Sequence, residues 1–332
     1  MEKQRTQLYY SKVKIFFPDI HITLTRNFGK ALEEIGHELI MPSKDYKVTQ
    51  YPPQKWVWNE SHDEDSLIKH DFGKNTILVN NDQLMETKPD VIFVSAFENQ
   101  FEVINVIWQE AKNWGAKLAF YSGNDYWESA YPWDIIKNYL PADNLAASIC
   151  KEKGVHHHHY RPWIDYDMFS YEGVSESNKV GTYICDYQNN FSEDYDIYNT
   201  IRKHTSSFID YILCEKSSKQ ETADVMNESA FTLHVKSLEG YGFAIIESMA
   251  RGRPVFLFDP LTANKSFLQW SELGTTAFSF INGQSYEDQA KQLLNNFDYR
   301  CEVQQRCADR IRELVNNEEQ NEKLKNFLEN LL

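Results

Sequence analysis

Lys236-Ser-Leu-Glu-Gly-Tyr-Gly-Phe-Ala-Ile-Ile-Glu247-Ser-Met-Ala-Arg-Gly-Arg-Pro-Val255 decides how the rest of this chain is read. A short apolar run, Phe231 to Val235, leads into it. Two glycines, Gly240 and Gly242, follow the acid Glu239. A helical pattern then runs from Phe243 to Ala250 and is stopped by Gly252-Arg253-Pro254, after which Val255 to Phe258 is apolar again. Strand, glycine loop, helix and strand in that order make a βαβ unit.

Such a loop has predictable chemistry. Glycines let the backbone turn tightly and approach a ligand closely. The N–H groups at a helix start, with the helix dipole behind them, suit an anion, most often a phosphate. Glu239 stands at the mouth of the loop, and Glu247 follows a little over two helical turns later, so both face one side. Ionised carboxylates accept hydrogen bonds only, which suits groups rich in hydroxyls. A phosphate cradle flanked by two such acids fits a sugar nucleotide.

Glu239-Gly-Tyr-Gly-Phe-Ala-Ile-Ile-Glu247, with Ser-Met-Ala-Arg-Gly-Arg-Pro-Val after it, closely resembles the E-x7-E signature of retaining GT-B glycosyltransferases of the family-four type. The resemblance implies an α/β fold of two Rossmann-like domains facing each other across a cleft. It implies an N-terminal acceptor domain over residues 1–170, a C-terminal donor domain over 171–317, and a last helix, 318–332, packing back onto the first domain. The implied activity is metal-independent, retaining transfer of a sugar from a nucleoside-diphosphate sugar such as a UDP- or GDP-sugar, with no other cofactor. Glu239 would meet the donor sugar's hydroxyls, the Gly240, Tyr241, Gly242 and Phe243 backbone would meet sugar or phosphate, and Glu247 would bind the ribose. Two acids also suggest glycosidase chemistry, but these flank a phosphate-type loop within one helix start.

The family's Arg and Lys for the leaving diphosphate usually lie near the first strand of the donor domain. Here that region, Gly181 to Asn190, holds no basic residue. Lys236 is the best substitute, a point charge just before the loop, with His234 two positions earlier on the same strand face; Lys265 and Arg161 are the weaker ones. Asn124-Asp125 follows the strand Lys117 to Tyr121, where the family often has His-Asp, leaving Asp125 as a sugar or acceptor contact or as an Asx-turn residue. His21 and Thr23, in place of a glycine-rich first loop, read as ligand contacts or as turn and capping groups.

The remaining chain reads as two α/β repeats. Residues 13–17 and 38–41 are strands around a helix at 24–35; 42–75 is a long irregular excursion; 90–95 and 117–121 are buried strands around a helix at 99–114. The pattern restarts at Lys179, with strands at 180–185, 208–214, 231–235 and 255–258, and 286–332 is helical throughout. Four consecutive histidines, His156 to His159, invite a metal, but in a strand alternate residues face apart, so at most two share one. No metal site is expected.

The 332 residues suffice for two domains. A net charge of −15 disfavours nucleic acid as the acceptor; a glycan or lipid-linked glycan is favoured, and the base, the sugar and the oligomeric state are not readable. No stretch approaches a membrane span and the N-terminus lacks a signal-like apolar run, so a cytoplasmic protein is expected. The five cysteines, irregularly spaced, are expected to be free thiols. Three other readings compete: a catalytically silent sugar-nucleotide-binding or partner subunit, a sugar-nucleotide epimerase, and a GT-A enzyme using Asp165-Tyr-Asp167 or Asp194-Tyr-Asp196 as a metal-binding D-x-D.

Overall fold

The computed structural model describes residues 12–17, 22–46, 64–95, 108–109, 111–122, 133, 135–183, 192–214, 218–237, 242–262 and 266–332. Two parallel sheets organise them. The first takes β1 (Lys14–Phe16), β2 (Glu38–Pro42), β3 (Thr76–Val79), β4 (Val91–Ser95), β5 (Lys117–Ser122), β6 (Asn138–Pro141) and β7 (His156–His157), in the spatial order β3-β2-β1-β4-β5-β6-β7. The second takes β8 (Lys179–Tyr183), β9 (Asp210–Cys214), β10 (Phe231–His234), β11 (Val255–Phe258) and β12 (Ala277–Phe280), in the order β12-β11-β10-β8-β9. Strand order reverses between β1 and β4 in one sheet and between β8 and β10 in the other. A crevice opens at the C-terminal ends of the strands at such a reversal, and ligands of open α/β sheets bind there.

Helices cover both sheets. They are α1 (Ile22–Glu34), α2 (Glu64–His70), α3 (Asn81–Thr87), α4 (Asn144–Lys153), α5 (Ser192–Thr205), α6 (Lys219–Glu228), α7 (Phe243–Ala250), the single turn α8 (Asp259–Thr262), α9 (Gly283–Asn295), α10 (Phe297–Leu314) and α11 (Asn317–Leu331). The buried stripe of α1, Leu24, Phe28, Ala31 and Leu32, meets Ile15, Phe17 and Phe93 of the first sheet. The other face of that sheet packs Phe16, Ile92, Val94 and Phe120 against Ile136, Ala146 and Cys150. The second sheet has its own core, in which Phe231, Phe256 and Tyr286 pack edge to face or tilted.

The last helix belongs spatially to the first sheet. Leu324, Phe327, Leu328 and Leu331 of α11 join the cluster around Phe28 and Phe93. Each such burial contributes about 1.5–3 kcal/mol. The crossing is pinned by side chains. Asn317 Nδ2 donates to the Ile164 carbonyl at 2.6 Å while Ile164 N donates to Asn317 Oδ1 at 3.2 Å. Arg161 donates to the Leu314 carbonyl at 2.7 Å, and the Tyr166 hydroxyl to that of Val315 at 2.7 Å.

Several elements differ from the expectation. The excursion at 42–75 contains α2, and β3, α3, β6 and β12 carry no strong period in the sequence because each spans seven residues or fewer. Residues 145–150, which read as a short strand or a helix end, are helix within α4, whose N-cap Asp143 accepts from Ala146 N at 2.8 Å. The C-terminal helical run is three helices, because Asn282, Asn296 and Asn316 each accept from a backbone N–H three residues on and start a new helix. Among the described residues, no helix is long and apolar enough to cross a membrane.

Candidate functional site

The βαβ unit of the opening stretch is β10, α7 and β11, paired in parallel from Thr232↔Val255 to His234↔Leu257. The helix packs onto its own strand through Thr232 and Ser248, whose hydroxyls meet at 2.7 Å. Glu239, Gly240 and Tyr241, and Asp125 and His21 as well, lie outside the described residues. The edges of the loop are described. On its incoming side, Ser237 is held by Asp194 of α5, whose Oδ2 accepts from Ser237 N at 2.9 Å and Ser237 Oγ at 3.1 Å. On its outgoing side, Gly242 is the N-cap of α7 in the left-handed region, φ 68° and ψ 41°, and brings no side chain to cap the helix. Glycine adopts that backbone without strain.

His234 ends β10 and is 2 % exposed. Lys236 lies beyond the strand end, half-buried, so the two do not share a regular strand face. Phe243, the first helical residue, sends its side chain into the core of the first sheet, beside Tyr160, Trp163 and Phe327 in one cluster. The start of α7 is therefore also a contact between the two halves of the molecule.

Glu247 is 3 % exposed, and a buried carboxylate needs a partner. That partner is Lys219, the first residue of α6, whose Nζ spans both oxygens at 2.6 and 2.7 Å. Ser218 and Glu221 form a capping box that fixes the start of α6. Burial pushes the Lys219 ammonium below the usual lysine range, and the Glu247 charge opposes that shift. Arg26 of α1 and Asp165, paired at 2.5 Å, are close enough to act electrostatically on Lys219. The buried Arg26 and the largely covered Lys219 therefore come from helices that belong to different sheets. Beside them is a cavity of about 620 Å³, lined among others by Lys30, Glu33, Asp71, Trp163, Asp165 and Gln220.

Lys219 escaped the sequence reading. Its one sequence signal, Ser218-Lys-Gln-Glu221, marks a helix start and says nothing of a partner 28 positions away. Arg161, weighed as a spare cation, is committed to the Leu314 carbonyl and stacks over Trp270 at 5.9 Å. Lys265 lies outside the described residues.

The two D-x-D triplets separate in space. Asp194 is buried on Ser237 while Asp196 is exposed, both inside α5. Asp165 pairs with Arg26 while Asp167 is exposed. The histidine run lies against α11: His156 stacks on Phe327 at 5.3 Å and His158 meets it edge-on at 5.9 Å. His157 contacts the Val155 carbonyl and His159 that of Ala142. Burial pushes His156, His158 and His159 below the usual imidazole range. Among the described residues, no three metal-ligating side chains converge.

The motif's exit is built differently from its entry. Arg253 is 2 % exposed and donates to the carbonyls of Met226, Asn227 and Gly173, at 3.0, 3.0 and 3.3 Å, and to Gln304 Oε1 at 3.2 Å. Gly252 turns the chain at φ +76°, where a Cβ would come within 2.3 Å of the Tyr171 ring.

No protein-family model matches the chain, and no curated protein matches it significantly. Solved structures match over nearly its whole length. The Anabaena protein HepE, solved with UDP-glucose, superposes with a TM-score of 0.65 at 10 % identity, over 96 % of this chain and 100 % of that one. Sucrose-phosphate synthase from Thermosynechococcus elongatus gives 0.61 at 12 % identity, over 96 % and 99 %. A glycosyltransferase from Rickettsia africae gives 0.62 at 12 %, over 96 % and 99 %. At these identities the likeness is one of architecture, and with its two parallel sheets of reversing order the chain has the α/β fold of the GT-B type.

Proposed function

We propose that this chain is a glycosyltransferase that takes a sugar from a nucleoside-diphosphate sugar, with retention of configuration and without a metal ion. The observation that carries the reading is the pairing, within one helix, of a left-handed glycine N-cap at Gly242 with a buried carboxylate at Glu247. The helix start supplies backbone donors and a positive dipole end for a diphosphate, and the carboxylate one turn further on accepts from ribose hydroxyls. HepE, of like fold, was solved with UDP-glucose, which favours a UDP-sugar among the candidate donors.

In this reading residues 1–170, with 318–332 packed on them, bind the acceptor, and 171–317 bind the donor. Glu239 and the Gly240–Phe243 backbone meet the sugar and diphosphate, Lys236 and His234 flank the leaving group, and Asp125 faces sugar or acceptor. A glycan or lipid-linked glycan is the favoured acceptor, and the cytoplasm the favoured location.

The test is a panel of UDP-, GDP-, ADP- and TDP-sugars followed by NMR, wild type beside Glu247→Ala. Selective binding of one donor, lost in the variant, with slow sugar release in the same anomeric form and in the presence of a chelator, supports the whole reading. Release in the opposite form keeps the transferase and removes retention. A sugar nucleotide altered without any acceptor would point to an epimerase, and binding without turnover to a silent partner subunit. If no sugar nucleotide binds, the reading fails.

A further inference from the structure

We infer that Lys219 is a positioning residue of the donor site: its ammonium spans Glu247 and holds that carboxylate aimed at the two adjacent hydroxyls of the nucleotide's ribose. The inference rests on the donor-site reading above and assigns a specificity role to a residue outside the glycine-loop motif.

Helix stability does not explain the position of Lys219. A cation at the first residue of a helix faces the positive end of the dipole, which disfavours it. The side chain is also only 13 % exposed, so its charge is largely stripped of water. Both effects act against lysine here, and within hydrogen-bonding distance its charge is answered by Glu247, at 2.6 and 2.7 Å. The aromatic ring of Phe169, with Nζ 5.4 Å from its centre, closes another side of the ammonium. The base of the lysine is rigid, because the capping box of Ser218 and Glu221 fixes the first turn of α6.

The hydrogen-bond count then constrains what Glu247 can do. An ionised carboxylate offers about four lone-pair positions. The ammonium takes one on each oxygen, so one on each remains. That is the arrangement a vicinal diol needs, with one hydroxyl to each oxygen. Without the cation, a carboxylate 3 % exposed loses the group that fixes both of its oxygens, and its aim with it. Lys219 also feels Arg26 and Asp165, so the aim of Glu247 is linked to a pair that includes α1 of the first sheet.

The experiment compares UDP and GDP with their 2′-deoxy counterparts by titration calorimetry. The proteins are the full-length wild type, Lys219→Met, Lys219→Gln and Lys219→Arg, each checked for a cooperative thermal transition. Wild type should prefer the ribonucleotide roughly tenfold or more, as expected for a hydrogen bond to a charged group. In Lys219→Met and Lys219→Gln the preference should collapse toward onefold. Lys219→Arg should restore the preference, since an arginine retains the charge. A folded Lys219→Met or Lys219→Gln protein with the wild-type ribose preference overturns the inference alone. Wild type that binds no nucleotide of the sugar-nucleotide panel overturns the donor reading, and the inference with it.

Discussion

The two ends of α7 have been built to opposite specifications. At its exit, Gly252 and Arg253 are buried, and the guanidinium is bonded to three carbonyls and to Gln304 of α10. At its entry, Gly242 offers no side chain, and the charged groups behind it are paired, Glu247 with Lys219 and Arg26 with Asp165. One end uses polar groups to bind protein to protein. The other keeps backbone donors at a helix start and a paired carboxylate behind them. Arginines in a loop motif are often read as ligand contacts, but here the ones at Arg251 and Arg253 are structural, Arg251 donating to the Ser170 carbonyl at 2.8 Å.

This contrast can be broken from either end. The largest effect is expected from Arg253→Leu, which strands the buried Met226 carbonyl and the part-buried carbonyls of Asn227 and Gly173 and should cost about 3 kcal/mol or more in chemical denaturation. Burial already lowers the Arg253 pKa to about 10, so its removal tests hydrogen bonding rather than a surface charge. Gly252→Ala should follow at about 2 kcal/mol, from the left-handed backbone and the Tyr171 clash together. Gly242→Ala should cost only about 1 kcal/mol of stability, yet weaken nucleotide binding clearly in titration. If Gly242→Ala and Gly252→Ala lowered stability equally and left nucleotide affinity alone, the two ends would not differ in kind.

The smallest expected effect concerns the histidines. His37, His156, His158 and His159 all have imidazole pKa values depressed by burial. The unfolded chain therefore takes up protons just below the ordinary value of 6.5 that the fold resists. Stability from these groups is complete above that value and declines as pH falls through it toward the lowered ones. The denaturant midpoint should drop modestly between pH 7.5 and 5.5, and by less in His158→Gln. An unchanged midpoint would show that α11 tolerates the charged rings.

The βαβ unit was legible because strand, glycine, helix and Gly-Arg-Pro stop all fall within one short window and agree with each other. The two-sheet architecture followed, since the alternation restarts at Lys179. Short elements were not legible: β3 and β12 have four residues each, too few for a period to stand out. The break of the C-terminal run into three helices turns on single asparagines, whose capping role depends on backbone geometry. For the candidate site, the sequence could nominate Glu247 and Gly242 from spacing alone. It could not nominate Lys219 or Arg26, because each is defined by a partner 28 or 139 positions distant. Nor could it separate Arg161 from a phosphate ligand, since the competing acceptor is a carbonyl on another helix.

The chain passes between the two sheets twice, once near Ile164 and once near Asn317, and those passages are bonded to each other by reciprocal hydrogen bonds. Two cords tied side by side behave as a strap rather than a string. A strap folds readily about the line across its width and resists twist and slip, so these paired crossings should favour bending of the two sheets about that line over twist. Substitution of Asn317 by Ala should loosen that restriction, which distance measurements between spin labels on α1 and α6 would read as a broader spread of separations; an unchanged spread would show that the restraint lies elsewhere.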